Sequence, residues 1–229
     1  MMPLLGRIRA SVRARLEAFR RKRAQRVPGL VGRPEAFALK REFQHSFLLS
    51  RGLQPRHTLL DFGCGVLRGG IPLIEYLDPG NYCGVDVREE ALRVARKEVR
   101  RNGLTSKKPL LVHGTDIAML SLDRRFDYAW AFSVLFHLSD ENLDACLDFI
   151  ARHLDGSGTF FANVNLGQRD SGAWLEFPVV WRSLDEYARR AQRVGLRVTP
   201  LGPLSEFGHH SPTDPEEDVQ VMLSFTPHR

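Results

Sequence analysis

Thr58-Leu59-Leu60-Asp61-Phe62-Gly63-Cys64-Gly65-Val66-Leu67-Arg68-Gly69-Gly70 is the stretch that decides the fold of this chain. An apolar run ends in an acid, Asp61, and a glycine-rich turn follows at once. Glycines serve where a backbone must bend sharply or let a ligand come close. The next apolar run, Tyr82-Cys83-Gly84-Val85-Asp86, closes on a second acid. An acid at the end of the second strand of a strand–helix–strand unit stands where a ribose diol is held. Together these features predict a nucleoside-binding βαβ unit.

The dinucleotide fingerprint is Gly-x-Gly-x-x-Gly. Gly63 and Gly65 satisfy its first two positions, but position 68 is Arg and the next glycine is Gly69. An arginine where a helix should pack tightly on its strand weighs against a nicotinamide cofactor. The acid two residues before Gly63 points elsewhere. Asp61-Phe62-Gly63-Cys64-Gly65 resembles motif I of the class I S-adenosylmethionine-dependent methyltransferases. The resemblance implies that the loop around Asp61, Gly63, Cys64, Gly65 and Arg68 approaches the methionine part of the cofactor. It also implies that Asp86 binds the ribose hydroxyls and that Val87 lies against the adenine.

The likeness continues along the chain. His113-Gly114-Thr115-Asp116-Ile117 follows a third apolar run, and Asp116 resembles the family residue that accepts from the adenine amino group, with Ile117 beside it. Phe126 to Ser133 is similar to the fourth strand, which brings Ser133 to the cofactor, and Val134 to Leu138 to the loop after it. Gly156 to Ala162 is similar to the following turn and fifth strand. The match spans roughly residues 50 to 200. A narrower likeness, to bacterial methyltransferases with the pattern GCG-x-LRGG, rests on Leu67-Arg68-Gly69-Gly70 and on Tyr76-Leu77 through Tyr82. Of that group's C-terminal Gly-His-Pro-Arg-Gly-Gln signature only Gly208-His209 remains, followed by an acidic, proline-containing insert.

The rest of the pattern is alternating β and α, which predicts a doubly wound parallel sheet. The family likeness makes this Rossmann-like sheet seven-stranded, in the order 3-2-1-4-5-7-6, with the last strand antiparallel. A helix is expected from Pro34 to Leu49, buried through Phe37, Leu39, Phe43, Phe47 and Leu48; Gln44 and His45 either face a pocket it closes over or are merely exposed. Ser139 caps a helix that runs to Leu154, and Ser183-Leu184-Asp185-Glu186 is a capping box. Two stretches fit no regular pattern, Asn163 to Arg182 and Gly202 to Asp218. The first leaves the carboxyl end of a strand, where open sheets bind ligands, and the second is either a further wall of the site or a solvated hairpin.

Charge is unevenly distributed. Residues 1–26 hold nine Arg or Lys and one acid, Glu17, so they carry +8 of a chain total of +6 and leave −2 on the other 203 residues. A uniformly basic nucleic-acid enzyme is therefore not expected. Leu4, Leu5, Ile8, Val12, Leu16 and Phe19 lie mostly at i, i+4 spacing among the arginines, so residues 1–30 read as a basic amphipathic appendage to a methyltransferase domain over 31–229. Its readings are peripheral membrane contact, a solvated tail, a helix packed on the domain, or an RNA anchor. No apolar run approaches the ~20 residues of a membrane span. Three scattered cysteines suit a reducing cytoplasm, and no His/Cys cluster has zinc spacing, so no metal is expected.

Methyl transfer from a sulfonium is an in-line displacement in which the protein mainly aligns the reactants. A poor nucleophile also needs a base, and His137, just after the fourth strand, is the candidate; the alternative is a residue that shapes the helix start or the pocket. His209, Glu176 and Trp181 are candidate substrate contacts. No Asn/Asp-Pro-Pro-Tyr follows the fourth strand and no Pro-Cys pair is present, as methylators of base amino groups and of cytosine C5 would carry. The expected activity is methyl transfer to oxygen or nitrogen of a small-molecule or lipid- or glycan-linked acceptor. The rivals are an RNA methyltransferase anchored by the basic segment and a binding module without turnover.

Overall fold

The computed structural model describes residues 36–170, 172–174, 177–212 and 214–228. The basic segment, Pro34 and Glu176 lie outside the described residues. Helix α1 (Phe37–Ser50) leads into β1 (Leu59–Phe62), α2 (Gly70–Tyr76), β2 (Tyr82–Asp86), α3 (Glu89–Arg101) and β3 (Leu110–His113). Then come β4 (Phe126–Ala131), α4 (Asp140–His153) and β5 (Leu154–Val164), a short hairpin of β6 (Gly172–Trp174) and β7 (Phe177–Val179), α5 (Leu184–Arg193), β8 (Leu196–Pro203) and β9 (Val221–Pro227).

The main sheet has the order β3-β2-β1-β4-β5-β9-β8. β1 to β5 pair in parallel, and β9 runs antiparallel to both β5 and β8. This is the expected Rossmann-like seven-stranded order, with the last two strands renumbered because a separate hairpin precedes them. That hairpin occupies the first of the two irregular stretches. β5 begins at Leu154, directly at the end of α4 and earlier than the turn expected at Gly156. A register shift against β4 accommodates it. Gly158 permits the approach, since a Cβ there would lie 2.9 Å from the Phe126 carbonyl oxygen.

Alternation along the strands divides the core. Leu60, Ala129, Ala131, Phe160 and Ala162 point to α4 and α5, whereas Leu59, Trp130 and Phe161 point to α1, α2 and α3. Both faces of a parallel sheet are thus covered, which is why its strands read as continuous apolar runs. The helix starts follow the sequence signals: Ser139 Oγ accepts from the Asn142 amide at 3.3 Å and Ser183 Oγ from the Glu186 amide at 3.2 Å. Helix α1 departs from expectation. Its buried stripe is Lys40, Phe43, Gln44, Phe47 and Leu48, while Phe37 and Leu39 are only half-buried. Two polar residues take core positions because that flank of the helix faces a cavity. No helix among the described residues is long and apolar enough to cross a membrane.

Candidate active site

The strand order reverses between β1 and β4, so the loops leaving their carboxyl ends diverge and open a crevice. Two joined cavities lie there. The larger, about 690 Å³, is lined by Asp86, Val87, Asp116 and Ile117 among others. The smaller, about 310 Å³, is lined by Asp61, Cys64, Gly65, Arg68 and Trp181 and by Lys40 and Gln44 of α1. Gly63, Arg88, Ser133 and His137 line both.

The glycine-rich loop is bound onto β2. Gly63 and Gly65 have φ of +77° and +55°. The amides of Gly63 and Cys64 donate to the Val85 carbonyl at 2.8 and 3.1 Å. Asp86, 5% exposed, accepts from the Gly65 amide at 2.7 Å through Oδ2 and from the Arg88 amide at 2.8 Å through Oδ1. A carboxylate has about four lone-pair sites, so each oxygen retains capacity for another donor. Val87 is 51% exposed beside it, an apolar surface open in the cavity wall. Asp116 accepts from the amides of Ala118 and Met119 at 3.1 and 3.3 Å. A Cβ on Gly63 would sit 2.5 Å from Val134 Cγ2. Clash and positive φ act together there, so Gly63→Ala should destabilise the fold by about 2–3 kcal/mol, read from thermal unfolding.

The smaller cavity is lined by charged side chains. Burial pushes the Asp61 carboxyl up to about 7; the Tyr82 hydroxyl, which donates to it, opposes this, Asp86 adds to it, and Arg68 opposes it. Burial also pulls Arg68 down to about 10 against the pull of Glu217 and Asp61, and its guanidinium lies 5.7 Å from the Phe132 ring centroid. Lys40 Nζ meets Glu217 Oε1 at 2.6 Å, with side chains 8% and 19% exposed. This ion pair ties α1 to the connection between β8 and β9. Removing one partner strands a charge in a poorly solvated place. Lys40→Met should therefore lower the unfolding free energy by about 2–4 kcal/mol, and adding Glu217→Leu should recover most of that loss in urea titrations.

His137 sits in a short turn after β4 and is held from the hairpin. Its Nδ1 lies 2.7 Å from the Pro178 carbonyl oxygen. A carbonyl can only accept, so Nδ1 carries the proton and a neutral ring has its lone pair on Nε2. Burial holds the imidazole below its ordinary pKa, against the Pro178 bond and with Lys40 contributing in the same direction as burial, which keeps the ring neutral near pH 7. The Val180 amide also donates to the Phe136 carbonyl at 2.8 Å, so the hairpin docks on the β4–α4 loop. Trp181 lines the smaller cavity, with the Arg169 guanidinium 4.4 Å from its ring centroid and 3.1 Å from Glu216. The two irregular stretches thus meet at the crevice.

His209 does not join them. It is fully buried and lines neither cavity. Its Nδ1 is 3.0 Å from Asp218 Oδ1 and its ring lies edge-on to Phe43. The structure places this candidate substrate contact behind the cavity wall, where the loop folds inward and Asp218 also accepts from the Ser211 amide at 2.7 Å.

Residues 60–160 match the family described as a methyltransferase domain. The matched segment runs from β1 into β5. The fold resembles an S-adenosylmethionine-dependent methyltransferase from Clostridium acetobutylicum ATCC 824 (TM-score 0.63, 14% identity, 93% of this chain and 99% of that one). It also resembles the magnesium protoporphyrin IX methyltransferase of Synechocystis PCC 6803, solved with bound SAM (TM-score 0.62, 16% identity, 85% and 81%). A third resemblance is to the glycopeptide N-methyltransferase MtfA (TM-score 0.62, 14% identity, 82% and 90%). At these identities the likeness is one of fold.

The crevice also brings together residues that the sequence did not single out: Lys40 and Glu217 form a wall of the smaller cavity. Gln44, a pocket-facing candidate, lines that cavity and accepts from Trp130 Nε1 at 3.1 Å through Oε1. Lys40 and Gln44 stand four apart on the same stripe as Phe43 and Phe47, a spacing that marks them as core-facing. Arg88 lines both cavities, with Nε 3.6 Å from Asp86 Oδ1 and its guanidinium 5.7 Å from the Phe177 ring centroid. Asn165 is buried in the smaller cavity's wall.

Proposed function

We propose that this domain methylates an oxygen or nitrogen of a small, polar acceptor, free or carried on a glycan or lipid, with His137 as the base. When bound, S-adenosylmethionine supplies an already activated methyl group, so the protein's part is to bind, orient and remove a proton. Asp86 has the remaining acceptor capacity to take the ribose hydroxyls. Val87 and Ile117 offer apolar walls for adenine, and Asp116 an acceptor for its amino group. Asp61 and Arg68, buried neighbours of opposite sign, suit the ammonium and carboxylate of the amino-acid end.

His137 carries the assignment of the reacting end: it lines both cavities, with Nδ1 committed to the Pro178 carbonyl and its basic nitrogen therefore Nε2. Trp181, Asn165, Asp214, Glu216 and Gln220 line the remaining wall of the smaller cavity. Aromatic, amide and carboxylate groups of this kind suit a polar acceptor better than an acyl chain. The test is transfer of labelled methyl groups to a panel of amino sugars, lipid-linked sugars and RNA. Label on a small acceptor is expected. Label on RNA that disappears with rising salt and with deletion of residues 1–26 would replace this function with the RNA one.

The Asp61 carboxyl gives a pH signature. Its pKa near 7 lies above the ordinary 3.8, so in the ligand-free protein its stabilising contribution is full below about pH 4 and is lost as pH rises through about 7. A bound ammonium reverses the balance by favouring the carboxylate. Affinity for S-adenosylhomocysteine should therefore rise about tenfold between pH 5.5 and 7, below the range where an α-amino group itself titrates. Asp61→Asn should flatten that dependence in calorimetric titrations, and a wild-type affinity independent of pH would remove Asp61 from the ammonium site.

A further inference from the structure

We propose that Asn163 is a positioning residue: its buried carboxamide holds Ser133 in the left-handed turn that seats the β4–α4 loop against Gly63 and so sets the junction of the two cavities. The functional part rests on the cofactor site proposed above. Ser133 has φ of +59°, a left-handed conformation uncommon for a serine and held by its surroundings. The enforcing contact is visible. The Ser133 amide donates to Asn163 Oδ1 at 2.7 Å. Because an amide N–H can only donate, this bond fixes which way the Asn163 side chain points. Its Nδ2 must then be the donor to Gln220 Oε1, also at 2.7 Å.

Gln220 is itself anchored, its carbonyl accepting from the Leu204 amide at 2.8 Å, and it lines the smaller cavity. Asn163 is fully buried on β5 and lines neither cavity, so it touches no ligand. What it controls lies one residue further on. Val134 fills the space where a Cβ on Gly63 would stand, with Cγ2 2.5 Å from that position. The Val134 carbonyl accepts from the His137 amide at 2.8 Å, which starts the turn bearing the proposed base. One carboxamide thus joins the Gln220 wall to the turn that carries both the glycine-loop contact and His137. The arrangement also accounts for an asparagine among Phe160, Phe161, Ala162 and Val164, the apolar last residues of β5. A valine would fill the volume and leave the Ser133 amide without its acceptor.

A double-mutant cycle tests this, because glycine adopts φ near +59° without help. Wild type, Asn163→Ala, Ser133→Gly and the double variant would be titrated with S-adenosylhomocysteine and melted without it. Asn163→Ala should weaken binding about tenfold when residue 133 is serine and less than about threefold when it is glycine, with the fall in melting temperature reduced in parallel. Equal losses in both backgrounds would make Asn163 a packing residue only and overturn the proposal. If Asn163→Ala alone does not fold, the Ser133→Gly background should restore folding and binding; failure to fold in both backgrounds counts against the role. Failure of the wild-type protein to bind would instead reject the cofactor site, and with it the positioning role toward cofactor, while the melting cycle would still decide whether Asn163 holds the turn.

Discussion

Asp86→Ala should weaken binding of S-adenosylhomocysteine by about 100-fold or more, the largest loss expected from any one side chain in the site. Two effects act in the same direction. The carboxylate closes β2 with acceptor capacity left on both oxygens for the proposed ribose hydroxyls, and hydrogen bonds to an ionised group are each stronger than neutral ones. It also holds the glycine-rich loop through the Gly65 amide at 2.7 Å and the start of α3 through the Arg88 amide at 2.8 Å. Asp86→Asn separates the two. Its side-chain oxygen can keep the Gly65 bond, so it should retain the fold and most of the melting temperature while still losing the charge-assisted part of the affinity. Wild-type affinity in either variant would show that the ribose is held elsewhere.

His137→Asn should reduce kcat on a true acceptor by about 100-fold or more while leaving cofactor affinity within a few-fold of wild type. Asparagine can still donate to the Pro178 carbonyl and keep the hairpin docked, but it cannot take a proton. The pH dependence gives a second, independent signature. The base must be neutral to act, and burial holds the His137 pKa below 6.5. Wild-type kcat should therefore be flat around pH 7 and fall only as pH drops through that lowered value. The variant should lack this acid limb. Unchanged kcat in His137→Asn would leave His137 as an anchor for the hairpin alone.

Much of the fold was legible because parallel strands buried on both faces write themselves as apolar runs, and because Ser139 and Ser183 mark helix starts with side chains that do cap them. The residues around Asp61, Gly63 and Asp86 were legible for a different reason: tight turns and strand-end acids are local features. What was not legible depends on long-range packing. Lys40 looks like a solvated helix residue until α1 is laid over a cavity, although its spacing with Phe43, Gln44 and Phe47 carries the signal. Asn163 and Asn165 stand at alternate positions at the end of a buried strand, where two amides call for partners, yet those partners are 30 and 57 residues away from Asn163. The place of His209 was not legible either. Its loop reads as a wall of the site or as a solvated hairpin, and only the inward fold of that loop onto Phe43 and Asp218 buries the ring.

The most direct test of the central claim is calorimetric titration of the full chain with S-adenosylhomocysteine, with NADH titrated in parallel. A class I methyltransferase site built from Asp61, Asp86 and Asp116 predicts dissociation constants on the order of micromolar for S-adenosylhomocysteine and no measurable binding of NADH. Binding of NADH alone, or of neither ligand, would contradict the assignment of these residues to a methyl-donor site.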